Sequence, residues 1–291
     1  MTQIYCFGEV LWDVFPNKKA IGGAPLNVAY RLHSLGNNVQ IISAVGNDSL
    51  GNELISFIEK TGLSSEKILR NEYETGKVII TLDKNNNASY NIKKNAAWDY
   101  IAFDNNKIKK SSAFIFGSLA ARNSKSRQTL YKLLDKVTYK IFDVNLRPPH
   151  YQKNILNDLI KKSDLIKFNE YEILEICKIF GHSENNLESC ITFITNYSNA
   201  KTICVTKGNN GALLYYNNSF YYNSGFPVKV KDTVGAGDSF LAMLVNELLE
   251  KERPELALKK ACAIGAMVAR KSGANPKINK REFLKFLSIY Q

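Results

Sequence analysis

The 291-residue chain lacks several things, and each lack excludes a class of protein. No apolar run is long enough to span a bilayer as a helix. The opening stretch Met1–Gly8 has no basic n-region and no cleavage signal, and reads instead as a strand. A cytoplasmic protein with no membrane partner is expected. The five cysteines (Cys6, Cys177, Cys190, Cys204 and Cys262) are scattered and odd in number. None forms a C-x-x-C pair, so neither a disulfide framework nor a zinc site is indicated. Internal repeats and low-complexity linkers are missing, as are the G-x-x-x-x-G-K-[ST] phosphate loop and the protein-kinase motif set. Acidic residues are also short, 27 against 39 Lys and Arg, for a net charge of +12. The lysine pairs Lys93-Lys94, Lys161-Lys162 and Lys259-Lys260, and the cluster from Lys107 to Lys110, are spread along the chain. No nucleic-acid module accompanies them, so no nucleic-acid partner is expected. The excess charge reads as lysine-rich composition with a modest attraction for anionic nucleotides.

What is present is ordinary for a globular protein, with 45% apolar and 23% charged residues. Short apolar runs of strand length occur at Ile4–Phe7, Val39–Val45, Ala113–Phe116, Lys140–Val144, Leu165–Phe168 and Thr202–Val205. Amphipathic stretches lie between them, at Pro25–Leu35, Leu50–Lys60, Ser126–Leu134, Gln152–Lys161 and Glu170–Ile179. This alternation predicts an α/β three-layer sandwich, a mostly parallel central sheet with helices on both faces. Ligands bind such sheets beyond the carboxyl ends of the strands, so the loops after strands are the places to search. The pattern breaks between Tyr73 and Tyr100. Val78, Ile80 and Leu82 alternate with polar or opposite-facing residues, Asn85-Asn86-Asn87 reads as a turn, and Ala88–Ile92 as a second strand. A hairpin inserted in a parallel pattern predicts a small separate sheet, with Trp98-Asp99 anchoring it.

The stretch Val230–Phe240 is a loop that turns into a helix, since Phe240, Leu241, Leu244, Val245, Leu248 and Leu249 recur at helical spacing. Gly235-Ala236-Gly237 falls where a helix N-terminus leaves N–H groups unpaired, and small residues let an anion approach them. Asp238 is either an ordinary first-turn acid or a base for an attacking hydroxyl beside that cradle. Near the N-terminus, Asp13 and Asn27 offer acceptors and donors suited to vicinal hydroxyls, while Gly22-Gly23 permits close approach of a polyol. Gly117-Ser118 follows a strand and lies close to the same region. Asp143-Val144-Asn145-Leu146-Arg147 ends a buried strand. Asp143 and Arg147 either close the loop as an ion pair, or Arg147 neutralises transferring charge. Asn169 with Glu172 reads as a capping box, and Asn210-Gly211 as a hairpin turn within Thr206–Gly211. Pro254–Lys271 reads as one long helix, and Ser272–Pro276 as its stop.

The string D-T-V-G-A-G-D-S-F resembles the C-terminal signature of the ribokinase-like (PfkB-type) carbohydrate kinases, and G-G-A-P-L-N-V-A is closest to their fructokinase branch. Ordered matches run over nearly the whole chain, so the resemblance implies one kinase domain over residues 1–291. It implies a lid built from segments near 13–20 and 73–100, which can also serve as a contact in a homodimer. Asp238 would be the catalytic base, and Gly235, Ala236 and Gly237 the anion hole, formed by the N–H groups of Val234 to Gly237. Arg147 would face the transferring phosphoryl group. Asp13, Gly22, Gly23 and Asn27 would bind the sugar. The nucleotide would lie along Thr206, Gly208 and Gly211, with Asn275 beside the adenine. Asn169 and Glu172 would belong to a magnesium network, and Asp232 with the turn at 272–275 would hold a monovalent cation such as potassium. The implied reaction is ATP-dependent phosphorylation of a sugar primary hydroxyl, with fructose the expected acceptor. Ribose, a nucleoside, a keto-acid sugar or a sugar phosphate are the alternatives, and a non-catalytic sugar or nucleotide sensor is the alternative of another class.

Overall fold

The computed structural model describes residues 2–82, 88–104, 107–110 and 112–290, with the side chains of 82–89 left aside. The turn expected at Asn85–Asn87 lies outside the described residues. Strands and helices are numbered in chain order. The main sheet contains β1 (Gln3–Phe7), β4 (Val39–Gly46), β5 (Ile68–Asn71), β8 (Ser112–Gly117), β9 (Tyr139–Asp143) and β10 (Leu165–Asn169). It is completed by β11 (Thr202–Thr206), β12 (Ala212–Tyr216) and β13 (Ser219–Asn223). Their order is β13-β12-β11-β10-β9-β8-β1-β4-β5, parallel from β11 to β5 and antiparallel only at β11-β12-β13.

Successive side chains of each strand point to opposite faces, and both faces are covered. Tyr5, Phe7, Phe114, Phe116 and Phe142 pack with α3 (Ser124–Leu134), α4 (Lys153–Lys161), α5 (Glu170–Ile179) and α6 (Leu187–Tyr197). Ile4, Cys6, Ala113, Ile115 and Ile141 pack with α1 (Ala24–Ser34), α2 (Ser49–Lys60) and α7 (Ala236–Leu249). A third cluster joins α7, α8 (Pro254–Ala269) and α9 (Lys280–Ile289) to β12. Each fully buried Phe or Ile is worth about 1.5–3 kcal/mol, so burial on two faces rather than one holds the sheet. Strand β5 and helices α6 and α9 were not expected. Strand β5 is a four-residue edge strand with only two apolar residues, too short for periodicity to register. All five cysteines are free and buried. Among the described residues no helix is long and apolar enough to cross a membrane.

A second sheet, ordered β3-β2-β6-β7, is formed by β2 (Leu11–Val14), β3 (Lys19–Gly22), β6 (Gly76–Leu82) and β7 (Ala88–Ile92). Its base is clamped to the main body at Thr75, just before β6. The Thr75 N–H and hydroxyl donate to the two carboxylate oxygens of Asp48 at 2.8 and 2.7 Å, and Thr75 Oγ1 accepts from Gly46 N at 3.0 Å. Asp48 also caps α2. After β7 the chain returns through a 3-10 turn, Ala97–Tyr100, in which Trp98 is fully buried and Asp99 pairs with Arg122 at 2.7 Å. The parallel order sets the carboxyl ends of β1, β8, β9 and β10 side by side, and the second sheet leaves the main one just after β1.

Candidate active site

Helix α7 begins at Gly235, whose φ of 75° lies in the left-handed region. A Cβ there would run into the backbone of Ala274, so only glycine permits this entry. The sequence suggested that N–H groups from Val234 to Gly237 face an anion. The structure corrects this, because Val234 N donates to Asp232 Oδ1 at 3.0 Å and Ala236 N to Thr233 O at 3.2 Å. Among the described residues the N–H groups of Gly235, Gly237 and Asp238 have no intramolecular acceptor, so these three stay free at the positive end of α7. A Cβ on Gly237 would meet nothing closer than the Lys167 ammonium, at 3.5 Å. A buried cation therefore lies directly beside the cradle.

Lys167 is the residue sequence reasoning missed. It stands on β10 opposite Asp143 of β9 in the parallel ladder. Its ammonium donates to Asp143 Oδ1 at 2.9 Å, with the two side chains 8% and 5% exposed. Asp143 thus pairs with Lys167 and not with Arg147, contrary to the local ion pair the sequence allowed. Asp143 and neighbouring Glu172 hold the Lys167 ammonium protonated against the opposing effect of burial. The available signal was a lysine inside an otherwise apolar strand, which is rarely buried without a partner. Arg147 itself is exposed, and its guanidinium donates to Leu146 O at 3.0 Å.

Asp238 sits in the first turn of α7 and accepts from Asn27 Nδ2 at 2.8 Å. Asn27 Oδ1 in turn accepts from Asn275 Nδ2 at 2.7 Å. The expected adenine neighbour, Asn275, is therefore linked to Asp238 through Asn27 of α1. Arg31 reinforces the same junction, donating to Ser239 Oγ at 3.1 Å and Pro276 O at 3.0 Å. Burial pushes the Asp238 carboxyl up to about 6, helped by Asp143 and opposed by Asn27, Lys167 and Arg147.

Two further carboxyls share this field. Asp13 on β2 is pushed up to about 6 by burial, against the pull of Arg147. A Cβ on Gly22 would strike its Oδ2, so Gly22 leaves room for that carboxylate. Glu9, in the loop after β1, is pushed up to about 7 by burial, with Arg147 opposing and Asp238 and Asp143 adding to the rise. Its Oε2 is buried without a partner. Gly23, at φ 112°, packs its Cα against the Glu9 carbonyl, where a side chain would not fit. Asn27 thus meets Asp238 directly and Gly22 meets Asp13, while Asp13 and Asp238 both feel the charge of Arg147.

Asn169 and Glu172 do form the capping box, Glu172 N donating to Asn169 Oδ1 and Asn169 N to Glu172 Oε2, both at 2.8 Å. Glu172 Oε1 also accepts from Leu146 N at 2.9 Å, which fixes the loop between Asp143 and Arg147. Burial raises the Glu172 carboxyl and Lys167 opposes the rise. Among the described residues no three His, Cys, Asp or Glu side chains are grouped to hold a metal directly. Both Glu172 carboxylate oxygens and Asn169 Oδ1 already accept backbone N–H groups, so a magnesium ion here would have to be carried by phosphates and water rather than bound by these side chains directly.

At the end of β11, the Thr206 hydroxyl donates to Phe168 O at 3.3 Å. The hairpin between β11 and β12 exists, but its turn is not a two-residue Asn-Gly turn. It takes five residues, 207–211, and includes a 3-10 turn over Gly208–Asn210. Gly208, at φ 58°, faces open space, whereas Gly211 packs against the backbone of Asn223–Gly225. Asp232 joins the turn after α8, its Oδ2 accepting from Gly273 N at 2.9 Å, so the two parts of the expected cation site do meet.

Residues 2–281 match the family described as pfkB family carbohydrate kinase. The probable fructokinase-2 of Arabidopsis thaliana is 28% identical over 98% of this chain and 96% of its own length. A sugar kinase of Pyrococcus horikoshii, solved with ATP, is 27% identical with a TM-score of 0.83, covering 97% of each chain. A fructokinase double mutant of Vibrio cholerae, solved with fructose, ADP and potassium ion, shares the fold with a TM-score of 0.86 at 24% identity, covering 99% and 98%. A glycine-framed helix start beside a held carboxylate, set in this fold and matched over nearly the whole chain, leads to one conclusion. The chain belongs to the pfkB family of carbohydrate kinases and is an ATP-dependent sugar kinase.

Proposed function

We propose that the enzyme transfers the γ-phosphoryl group of ATP to a primary hydroxyl of fructose, with Asp238 as general base. The observation that carries this reading is the position of Asp238, in the same helical turn as the free N–H groups and held from below by Asn27. Asp238 removes the hydroxyl proton as the sugar oxygen bonds to the γ-phosphorus and the bond to the β-phosphate oxygen breaks, releasing ADP. A carboxyl raised to about 6 is a stronger base than an ordinary aspartate, yet mostly ionised at neutral pH. The N–H groups of Gly235, Gly237 and Asp238 take the developing charge on the phosphoryl oxygens, with the Lys167 ammonium fixed beside them. Arg147 adds positive charge from the loop after β9. Bound magnesium supplies charge neutralisation on the phosphates, with Asn169 and Glu172 reaching it through water. Asp232 and the turn at 272–275 hold a potassium ion near the end of α8. Thr206, Gly208 and Gly211 line the nucleotide.

On the acceptor side, Asp13 takes hydroxyl hydrogens, and Gly22-Gly23 lets the sugar approach the backbone. Asn27 orients Asp238 and keeps one amide hydrogen for the sugar. Similarity to fructokinases supports fructose. A coupled ADP assay over fructose, ribose, a nucleoside, a keto-acid sugar and a sugar phosphate tests it, with fructose expected to give the highest kcat/KM. Asp13→Ala is expected to raise KM for fructose strongly and leave ATP binding intact. A higher kcat/KM for another acceptor would discard fructose and leave the sugar-kinase assignment standing.

A further inference from the structure

A second cavity, of about 250 Å³, lies between the end of β7, the start of α3 and the start of α4. Its walls contain none of the residues assigned to phosphoryl transfer or to the sugar. Three features give it one electrical character. Arg122 is anchored on three sides, with Nε and Nη2 donating to Asp99 at 2.7 Å each and Nη2 also to Lys93 O at 2.6 Å. Its guanidinium lies over the Trp98 ring at 4.2 Å, its side chain is 8% exposed, and its Nη1 has no acceptor.

The second feature is the end of α4 that opens here. The Gln152 side chain does not cap the helix, the first turn of α4 holds no acid, and the N–H groups of Lys153, Asn154 and Ile155 have no acceptor among the described residues. An uncapped helix start of this kind favours a negative partner. The third is the pair Lys94 and His150. Lys94 joins no ion pair among the described residues. The His150 imidazolium is disfavoured by burial and by Arg122 and Lys94, against only Asp99. Among the described residues Asp99 is the one carboxylate in the wall, and both of its oxygens are committed, to Arg122 and to the Ala96 N–H. No acid among the described residues balances Lys94 and the helix end.

We propose that this cavity binds a small oxyanion, a phosphate or carboxylate group, between Lys94, His150 and the first-turn N–H groups of α4, with the unpartnered Nη1 of anchored Arg122 as a further donor. The site adjoins the catalytic loop from behind. Ser118 lines the cavity and donates to Asn145 O at 3.3 Å, and His150 N donates to Arg147 O at 2.7 Å. An anion held here acts on the segment that positions Asp143 and Arg147. The group is either borne by the acceptor sugar or belongs to a free phosphate or phosphorylated product acting as an effector.

The chain has three histidines, so imidazole NMR of the whole protein resolves His150 from His33 and His182. Inorganic phosphate, titrated at constant ionic strength against chloride, is expected to raise the pKa of His150 alone. Lys94→Ala should weaken the phosphate response at least tenfold. Gln152→Asp places a carboxylate over the start of α4, and should abolish the response without lowering Tm. Phosphate inhibition competitive with the acceptor assigns the group to the acceptor, and a non-competitive effect or activation assigns it to an effector. The NMR readout does not depend on which sugar is phosphorylated, so it stands apart from the fructose assignment. The proposal is overturned if His150 responds to neither phosphate, a sugar phosphate nor a sugar acid, or responds equally in wild type and both variants.

Discussion

Replacing Asp238 by asparagine should lower activity and raise stability, because one half-buried carboxyl carries both effects. Its folded-state pKa is about 6 against an ordinary 3.8. The folded protein therefore binds this proton more tightly than the unfolded chain, and wild type loses stability as pH rises from 3.8 through 6. At about 1.36 kcal/mol per pH unit the penalty reaches about 3 kcal/mol above pH 7. Partial exposure of the residue screens it, so about 1–3 kcal/mol is expected. Asparagine keeps an acceptor for Asn27 Nδ2, and no other contact needs to change. Urea unfolding should find Asp238→Asn more stable at pH 7.5, with the difference shrinking toward zero near pH 4. Coupled ADP release should show kcat reduced about 10²–10⁴-fold. Wild-type kcat/KM should fall below an apparent pKa near 6, more steeply than one proton requires, because Asp13 and Glu9 titrate at about 6 and about 7. Near-wild-type turnover in the folded variant would refute the base assignment. Equal stability at pH 7.5 would refute the burial argument.

Gly235→Ala forces a side chain into the Ala274 backbone at positive φ, so a loss of about 1–3 kcal/mol or more is expected by thermal unfolding, together with lost turnover. Gly237→Ala meets only Lys167 Nζ at 3.5 Å, so the fold should hold and the rate alone should fall; the reverse ranking would contradict the cradle geometry. Lys167→Met leaves Asp143 buried and unpaired, at a cost of about 3–5 kcal/mol, and adding Asp143→Asn should recover part of it. A strictly additive double mutant would show the pair is not coupled. Chelation of magnesium should abolish turnover, and potassium should exceed sodium or lithium as activator. Indifference to potassium would remove the Asp232 site and nothing else.

The layer architecture was legible because parallel strands buried on both faces require continuous apolar runs, and helices covering them require amphipathic ones. Ile4–Phe7 and Glu170–Ile179 carry those patterns without reference to the rest of the chain. The helix start at Gly235–Gly237 and the Asn169–Glu172 capping box were legible for a related reason, since neighbouring residues build both. Which N–H groups the cradle leaves free was not legible, because Asp232 and Thr233 take two of them through turn geometry. Strand order and distance decided the rest. Lys167 meets Asp143, 24 residues away, only because β9 and β10 are adjacent and in that register. Asn27 reaches Asp238 across 211 residues, and Asn275 reaches Asn27 across 248. The raised pKa values of Glu9, Asp13 and Asp238 are likewise tertiary facts. Composition determines that those carboxyls exist, but desolvation depends on what packs over them, and only the folded chain sets that.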